Sequence, residues 1–325
     1  MTAGSTSPAA GQSPRRYSFA RYLSAKATVD DRSLNAHVWD TLRHALEVRG
    51  GDGGLKLVEL GSGIGTMVER LLDRRLLHRF SYRGVEAQPR LARLATRRLS
   101  AWGREHGYSV EGLPGGLVLR REAEEVRLAF PTADALQVAR RQRRTTDLLM
   151  AHAFLDLLDL PTALPALLGM LRPGGLFYFT LNFDGVTAFE PSIDPALDDA
   201  IQGLYHRTMD ERLVGGRRSG DSRSGRHLLA ALQAADVHVL AAGASDWVVV
   251  PVQGRYPDDE AYFLHFILHT VDRALRRHPE LDSRRFARWV ERRHAQVEGG
   301  ELVYIAHQLD VLGTASLSRA TKSAG

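Results

Sequence analysis

Between residues 15 and 50 apolar side chains recur every three or four positions (Tyr22, Ala25, Val29, Leu34, Val38, Leu42, Leu46), a period that predicts helices. Gly50, Gly51, Gly53 and Gly54 break the pattern. Residues 55–60 are then a short apolar run with glycine on both sides, the form of a strand buried on both faces of a parallel sheet. A helix is expected over 66–77, a strand over 82–87 and a helix over 89–102. An extra hairpin strand is expected over 117–121, with core strands over 126–130 and 147–151. A helix over 161–171 and a strand over 176–181 complete the regular part. Strands separated by helices in this rhythm imply βαβ units, and so a doubly wound, mainly parallel α/β sheet.

After residue 181 the regularity is lost. Residues 182–226 are polar and rich in Gly, Asp and Arg, too long for an ordinary loop, and read as a partly helical insertion. A helix resumes over 227–235, one or two strands fall within 237–250, and amphipathic helices follow over 258–278 and 283–297. A last strand is expected over 301–309, giving seven core strands. The domain plan is a disordered tail (1–14), a helical cap (15–50) and a cofactor-binding core (51–185). A lid insertion (186–226), the rest of the core with a helical pair (227–312) and a second tail (313–325) complete it.

Composition removes several chemistries. The 325 residues contain no cysteine, so disulfides, Cys-ligated zinc, iron–sulfur clusters and thiolate nucleophiles are excluded. No apolar run reaches the length of a membrane span, residues 1–14 lack the apolar core of a leader, and a cytoplasmic address is expected. The net charge of +5 comes from 43 basic residues, of which only Lys26, Lys56 and Lys322 are lysine. The arginines are scattered in pairs, with the densest run at 140–144 and no aromatic interleaving, so nucleic acid is not expected as a partner.

The chemistry-bearing feature is Glu59-Leu60-Gly61-Ser62-Gly63-Ile64-Gly65, where a strand gives way to a helix. Gly61, Gly63 and Gly65 permit a tight turn whose amides can touch a ligand. The spacing departs from the dinucleotide fingerprint, which would put its third glycine where Thr66 stands. Glu59 before the turn would repel a pyrophosphate and can accept from an ammonium group, pointing to a cofactor with an amino-acid end.

With these residues the chain resembles the class I S-adenosylmethionine-dependent methyltransferases, over about residues 55–182. The resemblance implies that residues 58–66, with Glu59, Gly61, Ser62, Gly63, Gly65 and Thr66, contact the methionine part of the cofactor. It implies that Glu86, next to Ala87, binds the ribose hydroxyls. Asp134 and Ala135 would read the adenine; Asp134 has a second reading, as the N-cap of a short helix. Leu171-Arg172-Pro173-Gly174-Gly175 matches the turn before the fifth strand.

Methyl transfer asks mainly for alignment, and for a base where the acceptor carries a proton. His152, directly after the fourth strand, is the first candidate base or cofactor contact, with a packed histidine as the alternative. Asn182 and Asp184 after the fifth strand are acceptor-side candidates. So are Tyr205, His206 and Asp221 in the insertion and Trp247 after the sixth strand, with solvated surface as the alternative for the insertion. His206 and Asp210 share a helical face without further ligands, so no metal is expected. A cytosine-C5 enzyme would need a cysteine, and the Asn/Asp-Pro-Pro-aromatic motif of amino-methylating DNA enzymes is replaced by Ala151-His152-Ala153-Phe154. The expected activity is methylation of O or N on a small molecule. The alternatives are an RNA or other macromolecule methyltransferase and a non-catalytic cofactor-binding protein. The sequence leaves the oligomeric state open.

Overall fold

The computed structural model describes residues 12–49 and 54–316. The glycine break at 50–53 and most of the two expected tails lie outside them. The N-terminal segment forms α1 (Phe19–Ala25), α2 (Ala27–Ser33) and α3 (Ala36–Glu47), with Ser18 and Asn35 accepting from the Arg21 and Val38 amides as N-caps. There follow β1 (Leu55–Leu60), α4 (Thr66–Asp73), β2 (Arg79–Val85), α5 (Pro89–Glu105), β3 (Ser109–Leu113), β4 (Gly116–Arg121) and β5 (Glu124–Ala129). Then come α6 (Ala135–Arg141), β6 (Thr146–His152), a 3-10 turn (Leu155–Leu157), α7 (Leu160–Leu168) and β7 (Leu171–Glu190). The chain continues through α8 (Pro195–Asp210), a small hairpin of β8 (Leu213–Val214) and β9 (Arg217–Arg218), α9 (Ser224–Gln233), β10 (Val237–Ala244) and β11 (Trp247–Val249). It ends with α10 (Glu260–Leu275), α11 (Ser283–Glu298) and β12 (Val303–Ala315).

The central sheet has ten strands in the order β10-β12-β7-β6-β1-β2-β5-β4-β3, with β11 beside β12. β5, β2, β1, β6 and β7 are parallel, while β12 and β4 run against them. The seven expected core strands are contiguous from the β10 edge to β5; the expected hairpin strand β4, with β3 and β11, enlarges the sheet to ten. Helices cover both faces. One core packs α3, α4, α5 and α10 against residues such as Leu57, Tyr82 and Tyr178, and the other packs α6, α7 and α9 against Val58, Leu60 and Phe179. Burial on both faces is what makes β1 a nearly unbroken apolar run.

Two expectations change. The fifth strand does not stop at 181. Leu181 takes φ +54°, its amide donates to Asp310 Oδ1 at 2.8 Å, and the strand resumes to Glu190 along β12. Residues 182–190 are polar enough to read as loop because β12 supplies partners for them: Asn182 Nδ2, for example, donates to the Leu309 carbonyl at 2.8 Å. The final strand likewise runs on to Ala315, into what was expected to be tail.

The cap is bolted down at several points. Tyr262 receives the Ser18 amide at 2.6 Å, Arg21 forks onto Asp259 with two 2.8 Å bonds, and Arg32 pairs with the buried Glu260. These contacts hold α1 and α2 on α10, above the carboxyl ends of the parallel strands.

Candidate active site

Strand alternation points Glu59 toward the face under the cap and Leu60 toward the other. The chain then turns through Gly61 (φ +71°), Gly63 (φ +54°) and Gly65 (φ +81°), conformations in which a side chain is strained. The amides of Gly61 and Ser62 both donate to the Val85 carbonyl, at 2.9 and 3.2 Å, pinning the turn to the end of β2. A methyl group on Gly61 would overlap the Phe154 ring, so that face is closed.

Glu86, one residue past β2, is buried and closes on the turn: Oε2 accepts from the Gly63 amide at 3.0 Å and Oε1 from the Gln88 amide at 2.8 Å. Burial raises its pKa, and these amides oppose the rise. The Ser62 hydroxyl beside it is buried without a partner. The loop after β5 is stitched to the same place, since Ala133 donates to the Glu86 carbonyl at 3.0 Å. Asp134 is exposed and caps α6 by accepting from the Gln137 amide at 2.8 Å through Oδ1; Ala135 is the first residue of that helix. Glu86, the exposed Ala87, Asp134 and Ala135 thus share one rim with the turn.

Glu59 is almost wholly buried. Burial pushes its pKa up to about 7 against the opposing effects of the Tyr82 hydroxyl, which donates to it, and of Arg70 and Lys26. Next to it lies a charge network that sequence reading missed. Lys26 Nζ pairs with Asp30 Oδ2 at 2.6 Å, Trp247 Nε1 donates to Asp30 Oδ1 at 3.0 Å, and Arg70 stands 3.6 Å from Asp30 Oδ2 and pairs with Asp31. Lys26, Asp30 and Arg70 are all buried. Burial by itself would raise Asp30, but Lys26, His152 and Arg70 outweigh it and hold its carboxyl well below the usual range. Lys26 and Asp30 sit one helical turn apart, and in sequence such a pair reads as an ordinary solvated face.

His152 belongs to this network. Arg70 Nη1 lies 3.1 Å from its Nε2, and Thr180 Oγ1 lies 2.5 Å from its Nδ1. Nε2 also lies 3.4 Å from Asp30 Oδ2, but the shorter contact is to Arg70, which can only donate, and this assigns Nε2 as acceptor and the proton to Nδ1, facing Thr180. Burial, then the Arg70 charge, bring the ring down to about 4. His152 is therefore neutral, and the lone pair a general base would use is already taken. Thr66 Oγ1 also accepts from Arg70, at 3.3 Å.

The acceptor-side candidates divide. Tyr205 and Trp247 lie in the core beneath the cap, Trp247 edge-on to Phe263 at 5.3 Å. His206 contacts Thr187 Oγ1 at 3.0 Å and the edge of Phe183, and burial lowers its pKa. Asn182 and Asp184 are turned elsewhere. Both back onto Gly225 of α9, and Asp184 accepts a forked pair of bonds from Arg226 at 2.8 and 2.9 Å. Asp221 holds the Arg223 amide and His227, outside the cap. Asp210 is spent on Ser222. Among the described residues no group of three or more His, Cys, Asp or Glu could hold a metal, and no helix is long and apolar enough to cross a membrane.

The strand order, the glycine turn after β1 and the acidic residue after β2 define a Rossmann-like α/β fold. No protein-family model matches the chain, and comparison with curated proteins finds no match. Among solved structures it is similar to a proposed type II methyltransferase from Anaeromyxobacter dehalogenans, at 15% identity and a TM-score of 0.46 over 85% of this chain and 94% of that one. It is also similar to geranyl diphosphate C-methyltransferase from Streptomyces coelicolor A3(2), at 12% identity and 0.38 over 83% and 74%. The [4+2]-cyclase SpnF gives 15% identity and 0.42 over 85% and 81%.

Proposed function

We propose that the chain binds S-adenosylmethionine across the Gly61–Gly65 turn and transfers a methyl group to an O or N atom of a small molecule. The observation that carries this reading is the Glu86 carboxylate, fastened to the turn by the Gly63 amide on one oxygen and to Gln88 on the other. Acceptor positions not taken by the Gly63, Gln88 and Ala87 amides remain for a vicinal diol. The unpartnered Ser62 hydroxyl beside it is a second mark of a polar ligand. When bound, the cofactor supplies a methyl group already activated on sulfonium.

The chain's own residues do the rest. Gly61, Gly63 and Gly65 let the backbone approach the ligand, Thr66 opens α4 beside it, and Glu59 accepts from the ammonium end. Glu86 orients the ribose, while Asp134 and the Ala135 amide take the adenine edge with Ala87 along the rim. Arg70 and Thr180 hold His152 neutral, so it orients the floor beneath the acceptor and moves no proton. Tyr205, His206 and Trp247 border the acceptor.

Enclosure favours a small acceptor, because α1 and α2 are clamped to α10 over the strand ends. The 140–144 arginine run does not favour RNA, since it precedes β6 and so lies at the opposite end of the strands from the turn. Calorimetric titration with S-adenosylmethionine tests the reading: binding is expected, and Glu86→Ala should weaken it about tenfold or more. Unchanged affinity in Glu86→Ala would refute it. Mass spectrometry of extract incubated with the protein and methyl-labelled cofactor then identifies the acceptor.

A further inference from the structure

The apolar run that makes β1 a strand buried on both faces has one break: Lys56 is its only exposed residue. Parallel register sets Val58 beside Arg83 of β2, so Lys56 and Arg83 stand on the same side of the sheet as Val58, the side that α6 covers. There Lys56 and Arg83, with Val138, Arg141 and Gln142 of α6 and its exit and Thr145 before β6, line a hollow of about 420 Å³. Sites for small molecules commonly have about 300–1,000 Å³. All three cations are exposed, so a ligand arriving from solvent meets them directly.

These cations have no carboxylate of their own. Among the described residues Lys56, Arg83 and Arg141 form no ion pair. The carboxylate of Asp147, near the start of β6, is engaged by Arg172 and by the Lys56 amide, which donates to Oδ2 at 2.7 Å. Gln142 accepts from Arg83 Nη1 at 3.5 Å and donates to Thr146 Oγ1 at 3.2 Å, which ties Arg83 to the end of α6. Arg141 alone would be accounted for by the negative end of a helix. Lys56 and Arg83 come from two strands, and the helix end does not account for them. Three like charges around one hollow repel one another, and an anion seated among them relieves this.

We propose that this hollow binds a small molecule through its phosphate group, at a site separate from the glycine turn. A phosphate ester brings about −1.5 to −2 charges and three acceptor oxygens at neutral pH, where a carboxylate brings a single charge. Guanidinium forks fit those oxygens two at a time, and the Lys56 ammonium adds a compact charge. The remaining volume lies against Val138 and Thr145, an apolar and a hydroxyl contact for whatever the phosphate is attached to. The arginine run at 140–144, which methyl transfer leaves without a role, thereby supplies Arg141 to a binding site. S-adenosylmethionine carries no phosphate, so this inference and the methyltransferase reading stand or fall separately.

Calorimetry on the full chain at constant ionic strength, with pyrophosphate as the probe and citrate as a carboxylate of similar charge, decides it. Pyrophosphate should bind saturably and about tenfold or more tightly than citrate. Arg83→Gln and Arg141→Gln should each weaken it about fivefold or more, whereas Arg140→Gln, a neighbouring charge outside the hollow, should weaken it less than about twofold. No saturable binding, equal binding of citrate, or an equal loss in Arg140→Gln would overturn the inference. So would a short single-stranded RNA that binds where pyrophosphate does not, since the cations would then serve a nucleic-acid surface. The replaced side chains are exposed, and the variants should unfold at the wild-type temperature. S-adenosylmethionine titrated into Arg83→Gln should bind as it does to wild type; loss of both ligands together would mean that Arg83 supports the fold and not the phosphate, and would also overturn the inference.

Discussion

The indole Nε1–H of Trp247 donates to Asp30 Oδ1 over 3.0 Å, so that β11 and the cap helix α2 meet on a buried carboxylate whose other oxygen holds Lys26. Asp30→Ala would leave Lys26 without its partner in a water-poor place and Arg70 with Asp31 alone. The expected cost is about 3–5 kcal/mol, read from urea midpoints at constant slope. Trp247→Phe removes one donor and keeps a ring, and should cost about 1–2 kcal/mol. A loss below about 1 kcal/mol in Asp30→Ala would mean that the charges reach water.

Two buried groups give stability opposite slopes with pH. His152 is lowered by burial and Arg70 from 6.5 to about 4, so its contribution is present above 6.5 and lost as pH falls toward 4. Glu59 is raised by burial from 4.5 to about 7, so its contribution is present below 4.5 and lost as pH rises through 7. Between these limits the two oppose each other in the wild type. His152→Gln should uncover a decline toward pH 7.5, and Glu59→Gln a decline toward pH 4.5, each of up to about 1.4 kcal/mol per pH unit. Urea midpoints at four pH values check this, and slopes of the same sign in both variants would contradict it.

Gly61→Ala meets two obstacles, a left-handed backbone and the Phe154 ring. A loss of about 2–4 kcal/mol is expected. In a Phe154→Ala background the same substitution should cost only about 1 kcal/mol, the backbone part alone. Thermal or urea unfolding of the four proteins in this cycle measures the difference, and strict additivity would show that the ring yields freely.

Asp134 has a structural duty as N-cap and a proposed one at the adenine edge. Asp134→Ser preserves the cap and shortens the side chain, so stability should change by less than about 0.5 kcal/mol. Cofactor affinity measured by calorimetry should nevertheless fall about fivefold or more. An unchanged affinity would leave Asp134 with the cap alone.

The sequence made the glycine-turn half legible for a physical reason. β1 is an apolar run because both its faces are buried, and the glycines after it are required by positive φ, so burial and backbone strain both write themselves into residue type. Helices α10 and α11 are amphipathic and were visible for the same reason. β3 was not visible, because all its residues but Val110 are exposed and carry no burial pattern. The second half of β7 was hidden by Asn182, Asp184 and Thr187, whose polarity is satisfied only by elements distant in sequence. Lys26, Asp30 and Arg70 escaped notice likewise: a charged residue reveals burial only when its partners are known.

β7 is a single piece of backbone that begins at the Pro173 turn, passes beneath His152 at Thr180 and ends against Tyr304 at Phe189. The strand beneath His152 and the strand that reaches Tyr304 are therefore one beam, clamped along its far half by β12. Loop exchange, the usual route to a new specificity, has no loose joint to work on here. Under the proposed function, a new acceptor specificity would come from single side chains such as Tyr205 of α8, without disturbing the glycine turn.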